Sequence, residues 1–251
     1  ISVGVPDAGF QMYDEDDFSI RTAGFQNTDV ALIYNKIHRN SGFQGTGGIA
    51  LSEDSKYYLV KNNLITGNFS RFHGGGIAHI GRSDGGTIQD NNIRFNENFF
   101  GAILLRAGDG GGIYMGGDLA GGTGAGFDLT IDGNLIQGNM TGSGSGGGIR
   151  IAAFNGLDVR SIGDPDIICD PAFGSTSPCP DPWPLFKVSI TNNMIINNVA
   201  GLDGGGISLQ DVSRAYLANN TIANNDSTMV GRDGFPAGEV TSLPAPAGIS
   251  S

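Results

Sequence analysis

The chain has 251 residues, 43 of them glycine, a formal charge of −11, 39% hydrophobic residues and only 16% charged ones. Disordered chains pair few aliphatic residues with many charges, so this balance excludes disorder and leaves enough apolar material for a core. The acidic balance opposes the phosphate backbone of nucleic acids, leaving cations or neutral polymers as partners, and no apolar run is long enough to span a bilayer.

Residues 1–26 show no clear repeat and read as a degenerate first coil or a cap. They contain "DEDDF", in which Asp14, Asp16 and Asp17 are hard oxygen ligands in a row. Calcium is the ion they would hold, but the spacing is not that of an EF-hand loop, and a charge run is more often a solvated face. No other cofactor is called for.

From residue 27 to 225 one pattern recurs: aliphatic, two residues, Asn, one residue, aliphatic, two residues, Asn. It reads Leu32, Asn35, Ile37, Asn40, then Val60, Asn63, Ile65, Asn68, then Ile88, Asn91, Ile93, Asn96. Later copies are Ile131, Asn134, Ile136, Asn139, then Ile190, Asn193, Ile195, Asn198, and finally Leu217, Asn220, Ile222, Asn225. The first asparagines step by 28, 28, 43, 59 and 27, so the period is 27–28 with two insertions. A glycine cluster ending in Ile follows five copies, at Ile49, Ile77, Ile113, Ile149 and Ile207.

Glycine triplets and dense asparagine oppose helices, and no 3.6-residue period survives. Short strands fit. Each asparagine tolerates the left-handed conformation of a tight corner, and the glycine cluster turns another corner into a further strand. Three short strands per period make a coil that cannot bury its own inner face but does so by stacking. Asn35, Asn63, Asn91, Asn134, Asn193 and Asn220 then form a structural ladder of amides from coil to coil. The fold expected is all-β: about six or more coils of a parallel β-helix. Gly142, Gly144 and Gly147 spell GxGxxG, but in a repeat corner without a βαβ unit, so they carry no dinucleotide signature.

Insertions interrupt the period at about 97–126 and 157–186. The second holds Trp183 and both cysteines, Cys169 and Cys179, with nine residues between them and away from any zinc-like spacing. A loop disulfide is the favoured reading and implies an oxidising compartment; two unpaired thiols are the alternative. Residues 226–251 lose the pattern and, being rich in Pro, Ala and Ser, read as an extended tail or linker.

The "NNxIxxN…GGGI" units resemble the right-handed parallel β-helix of the pectin-lyase-like superfamily, in particular the generic repeats of bacterial surface proteins. More loosely they are similar to the repeats of polymorphic outer-membrane proteins. The resemblance implies a right-handed coil and an extracellular or cell-surface setting. It also implies that an active site be sought, since the superfamily contains polysaccharide lyases and hydrolases. Of the four hydrolase motifs only Asn27-Thr28-Asp29 has a counterpart, and zincin, thiol-redox and serine-hydrolase signatures are missing.

Stacking places Ala50, Ala78, Tyr114, Arg150 and Ser208 in one outward column, mostly small. Tyr114 and Arg150 are the candidate binding residues there, with Trp183 on the insertion; no catalytic residue is identified. His79 falls in an inward apolar column and reads as a core histidine. The expectation is a structural or adhesive segment of a larger secreted or surface protein, a spacer, stalk or assembly subunit. Its partners would be other domains or copies, with polysaccharide open. The alternatives are a polysaccharide lyase or glycoside hydrolase, and a glycan-binding module without catalysis.

Overall fold

The computed structural model describes residues 1–3, 27–42, 46–99, 108–117, 124–155, 186–230, 234–235 and 241–251. They form a parallel β-helix of four sheets, one of seven strands and three of six, every adjacent pair parallel. Sheet A holds the strands that follow the glycine clusters, sheets B and C hold the two asparagine-linked strands, and sheet D follows the second asparagine. The third coil is representative, running Thr87–Gln89 in sheet B, Asn92–Arg94 in C, Glu97–Asn98 in D and Ile113–Gly116 in A.

The coil therefore has four strands, where the sequence pattern predicted three. The additional ones are two residues long: Ser41–Gly42, Phe69–Ser70, Glu97–Asn98, Met140–Thr141, Val199–Ala200 and Asp226–Ser227. Their inward side chains are small or polar, and so carry no hydrophobic period. Ser70 and Thr141 instead donate hydrogen bonds to carbonyls of the glycine-side loops, at His73 and Gly108.

The core is a set of stacked aliphatic columns. Ile49, Ile77, Ile113, Ile149 and Ile207 of sheet A are fully buried, as are Val60, Ile88, Ile131 and Ile190 of B and Ile65, Ile93, Ile136 and Ile195 of C. Each such side chain contributes about 1.5–3 kcal/mol by leaving water, and no coil can collect that energy without its neighbours.

The left-handed corner residue is not the ladder asparagine but the residue before it. At the B–C corner these are Tyr34, Asn62, Asp90, Gly133, Asn192 and Asn219, with φ between 54° and 65°. At the C–D corner they are Arg39, Gly67, Phe95, Gly138, Asn197 and Asn224, with φ between 54° and 64°. This division of labour explains the asparagine pairs of "TNNMIINN": the first of each pair turns the chain and the second bonds along the stack. In the glycine triplets, Gly110 takes a φ of 70°. A Cβ on Gly112 would stand 2.6 Å from the Gly148 carbonyl oxygen of the next coil.

Two boundaries differ from those read in the sequence. Glu97–Asn98 and Ile113–Gly116 are regular strands in register with both neighbouring coils, so much of the stretch assigned to the first insertion is solenoid. Ile249–Ser250 pairs with Ile207–Ser208, and the Gly204, Gly206 and Ile207 amides donate to Pro246, Ala247 and Gly248. The Ala247-Gly248-Ile249 stretch of the predicted tail is thus a degenerate copy of the glycine cluster and completes a sixth coil. At the other end Ser2–Val3 pairs with Ala50–Leu51.

Candidate functional site

Two amide ladders run the length of the stack. Asn35, Asn63, Asn91, Asn134, Asn193 and Asn220 form the first: each backbone N–H and Nδ2 donates to the Oδ1 of the next at 2.8–3.0 Å. The free Nδ2 hydrogen donates back to a carbonyl of the preceding coil, as from Asn91 to Val60 at 2.8 Å. Asn40, Asn68, Asn96, Asn139, Asn198 and Asn225 repeat the arrangement at the second corner. These asparagines serve each other, with little left to offer a ligand.

The outward column of sheet A has the predicted register: Ala50, Ala78, Tyr114, Arg150 and Ser208 are successive pairing partners, continued by Ser250. It is not an open face. Ala78, Tyr114, Arg150 and Ser208 are all buried. At Tyr114 and Arg150 the cause is the residue before a glycine triplet, which folds back over this column. His73 stacks on Tyr114 with ring centroids 4.2 Å apart and planes 21° from parallel. Asp109 does the same to Arg150, with Oδ2 3.8 Å from Nε. Tyr114 therefore has one ring face covered by His73 and is a poor platform for a sugar.

Arg150 stands at a different kind of place. Its Nη1 donates to Ser208 Oγ and its Nη2 to Gln210 Oε1. Its Nε is buried with no hydrogen-bond partner among the described residues. Asp109 is held by the Ser145 amide, which donates to its Oδ1 at 2.8 Å, and Asp203 Oδ1 accepts from Ser208 at 3.3 Å. Beside these groups lies an open pocket of about 390 Å³ lined by Asp109, Ser145, Arg150, Leu202, Asp203, Leu209, Gln210 and, at the last strand, Ser251.

Asp109, Ser145 and Asp203 were not singled out by sequence, although the alignment contains the signal. They occupy the position before the glycines, read as His, Asp, Ser and Asp in successive coils. Trp183, Cys169, Cys179, Asp14, Asp16 and Asp17 lie outside the described residues. Among the described residues no three or more His, Cys, Asp or Glu side chains gather to hold a metal, and no helix is long and apolar enough to cross a membrane.

His79, in the inward column, is fully buried. Tyr58 Oη lies 2.8 Å from Nδ1, and Nε2 lies 2.9 Å from both the Gly81 and Ala125 carbonyls. Carbonyls only accept, so Nε2 carries the proton and the tyrosine donates to Nδ1. Burial pushes the imidazole down to about 4 and pushes the Tyr58 phenol up, so both are neutral, structural groups.

On sheet B a surface relay joins four coils. Lys61 donates to Gln89 at 2.9 Å, Gln89 to Asp132 at 3.1 Å, and Thr191 and Asn192 each to Asp132 at 2.7 Å. The hydrogen bonds from Thr191 and Asn192 hold the Asp132 carboxyl below its ordinary value. It cross-links coils and borders no cavity described here.

Comparison with known protein families, with curated proteins and with solved structures returns no match.

Proposed function

We propose that this chain is a rigid structural segment, a spacer or stalk, of a larger secreted or cell-surface protein. The observation that carries the reading is the continuity of both asparagine ladders. Between Asn91 and Asn134 the chain inserts to a step of 43, and between Asn134 and Asn193 to a step of 59, yet the same bonds form. The ladder bonds keep their regularity across both steps, as a rod requires. The outward column of sheet A supports the same reading, since Ala78, Tyr114, Arg150 and Ser208 are buried and present no open face.

The finer assignment, a right-handed helix of the pectin-lyase-like type, rests on the resemblance of the repeats. The extracellular setting rests on the same resemblance. Other domains or further copies are the partners a spacer implies.

Depolymerisation assays separate this role from catalysis. The purified chain is incubated with neutral and acidic polysaccharides, with and without calcium, and new reducing ends and unsaturated products are measured. The spacer reading predicts neither; sustained release of either product would replace it with the hydrolase or lyase alternative.

A further inference from the structure

Charge is sorted around the circumference of the rod. Each coil runs through sheets B, C, D and A in turn. The connections from a sheet A strand to the next sheet B strand are residues 4–30, 52–58, 81–86, 117–128, 153–186 and 211–213. They hold 17 of the 25 carboxylates and 4 of the 14 lysines and arginines, a net charge of −13 in a chain of −11. Among the described residues Asp29, Asp128 and Asp211 stand exposed on this A–B edge.

Sheet C is the opposite case. None of the residues in its six strands, or turning the chain at the C–D corner, is Asp or Glu. Lys36, His38 and Arg39 are exposed there and Arg94 is half-buried. Lys36, Arg39 and Arg94 take part in none of the ion pairs among the described residues. Farther along the same face Leu135 pairs in register with Met194, which is exposed, as is Phe95 at the corner. At the borders of the face Asp90 is 3.5 Å from Lys61, and Glu97 is half-buried. The flank runs along the stack axis, so further coils at either end would lengthen it without covering it.

An exposed apolar face ringed by unpaired cations suits an acidic partner surface, and the chain carries one on its own A–B edge. A second copy presents its carboxylates on that edge and its cations on the flank, so one orientation of approach is favoured. At physiological salt fields are screened beyond about 8 Å, and the facing surfaces decide the contact rather than the net charge. We propose that copies of this chain pack side by side, the A–B edge of one rod against the sheet C flank of the next. The two surfaces differ, so the contact is heterologous: each rod keeps an unused edge and an unused flank, and the arrangement propagates into a row of rods. The inference goes beyond the spacer reading, which a monomeric rod satisfies equally.

The test is sedimentation velocity of the whole chain over a concentration series to the millimolar range, with a chelator present, at physiological and at about tenfold higher salt. Arg39→Glu/Arg94→Glu reverses the flank and Asp128→Lys/Asp211→Lys the edge, and circular dichroism checks that both variants fold. The expected result is concentration-dependent association at physiological salt that weakens at high salt. Either double reversal weakens it about tenfold or more, since like charges then face each other. Mixing the two variants restores it, because an acidic flank then meets a less acidic edge. A monomer at every concentration overturns the proposal and leaves the spacer reading standing. So does association that both reversals leave unchanged, as end-to-end stacking would be, or a mixture that associates no better than either variant alone. Association seen only when calcium replaces the chelator overturns it as well.

Discussion

Replacing Asn134 by alanine tests the ladder at its most committed point. Asn134 is 1% exposed. Its Oδ1 accepts from the Asn91 amide at 2.9 Å and from Asn91 Nδ2 at 3.0 Å. Its Nδ2 lies within bonding distance of the Ile88 carbonyl, the Asp132 carbonyl and Asn193 Oδ1, at 2.9–3.0 Å. Alanine leaves the buried Asn91 amide without an acceptor and the Ile88 carbonyl without its side-chain donor. An orphaned buried group costs about 1–3 kcal/mol and each satisfied bond is worth about 1. Together they predict a loss of about 3–5 kcal/mol, a large share of the roughly 5–15 kcal/mol that holds a domain together. Asn220 is half-buried at the last rung, and its side chain serves only Asn193 and the Ile190 carbonyl. Asn220→Ala should therefore cost about 1–2 kcal/mol. Urea unfolding followed by circular dichroism, with the m-value checked for constancy, gives both numbers. Equal costs at the two positions, or a cost under about 1 kcal/mol at Asn134, would refute the reasoning.

Other perturbations have equally definite outcomes. Because His79 is neutral when folded with its value lowered to about 4, the unfolded chain takes up a proton first as pH falls. The His79 contribution is complete above about pH 6.5 and is lost as pH falls toward 4, about 3 kcal/mol in all. His79→Met, matching Met115 in the same column, should remove that part of the pH dependence in urea titrations at pH 7 and pH 4.5. Asp132 acts in the same sense. Its lowered value means that its stabilisation is present at neutral pH and lost on acidification, so Asp132→Asn should flatten the acid limb of the melting-temperature profile. Gly112→Ala drives a Cβ to 2.6 Å from the Gly148 carbonyl, and should cost at least about 2 kcal/mol in the same urea assay. Phe95 is 59% exposed and holds a φ of 54° that bulky residues avoid. Phe95→Asn should raise stability by up to about 1 kcal/mol, read as a higher urea midpoint.

The inward positions of sheets A, B and C were legible because a fixed isoleucine spacing survives both insertions, and the ladder because its asparagines share that spacing. Sheet D was not. Ser41, Phe69, Glu97, Met140, Val199 and Asp226 share no chemistry, because a two-residue strand on the outer side of a corner needs only a backbone. The role of the first asparagine in each pair was hidden because Tyr34, Asp90 and Phe95 do the same work elsewhere. The column of Tyr114 and Arg150 was predicted by register, but its burial was not. Closure comes from His73 and Asp109, which belong to the glycine corner in sequence and to the outer face in space. The Arg150 pocket unites residues from four coils, so no linear motif announces it.

The account stands on amides shared between coils, and hydrogen exchange of those amides tests it most directly. In a nuclear magnetic resonance exchange series on the whole chain, the backbone amides of Asn63, Asn91, Asn96, Asn134, Asn139 and Asn193 should rank among the slowest. Their side-chain NH₂ groups, which in a solvated asparagine exchange rapidly, should be protected too, with Asn220 and Asn35 faster. Side-chain amides that exchange as fast as those of exposed asparagines would contradict a ladder-held β-helix.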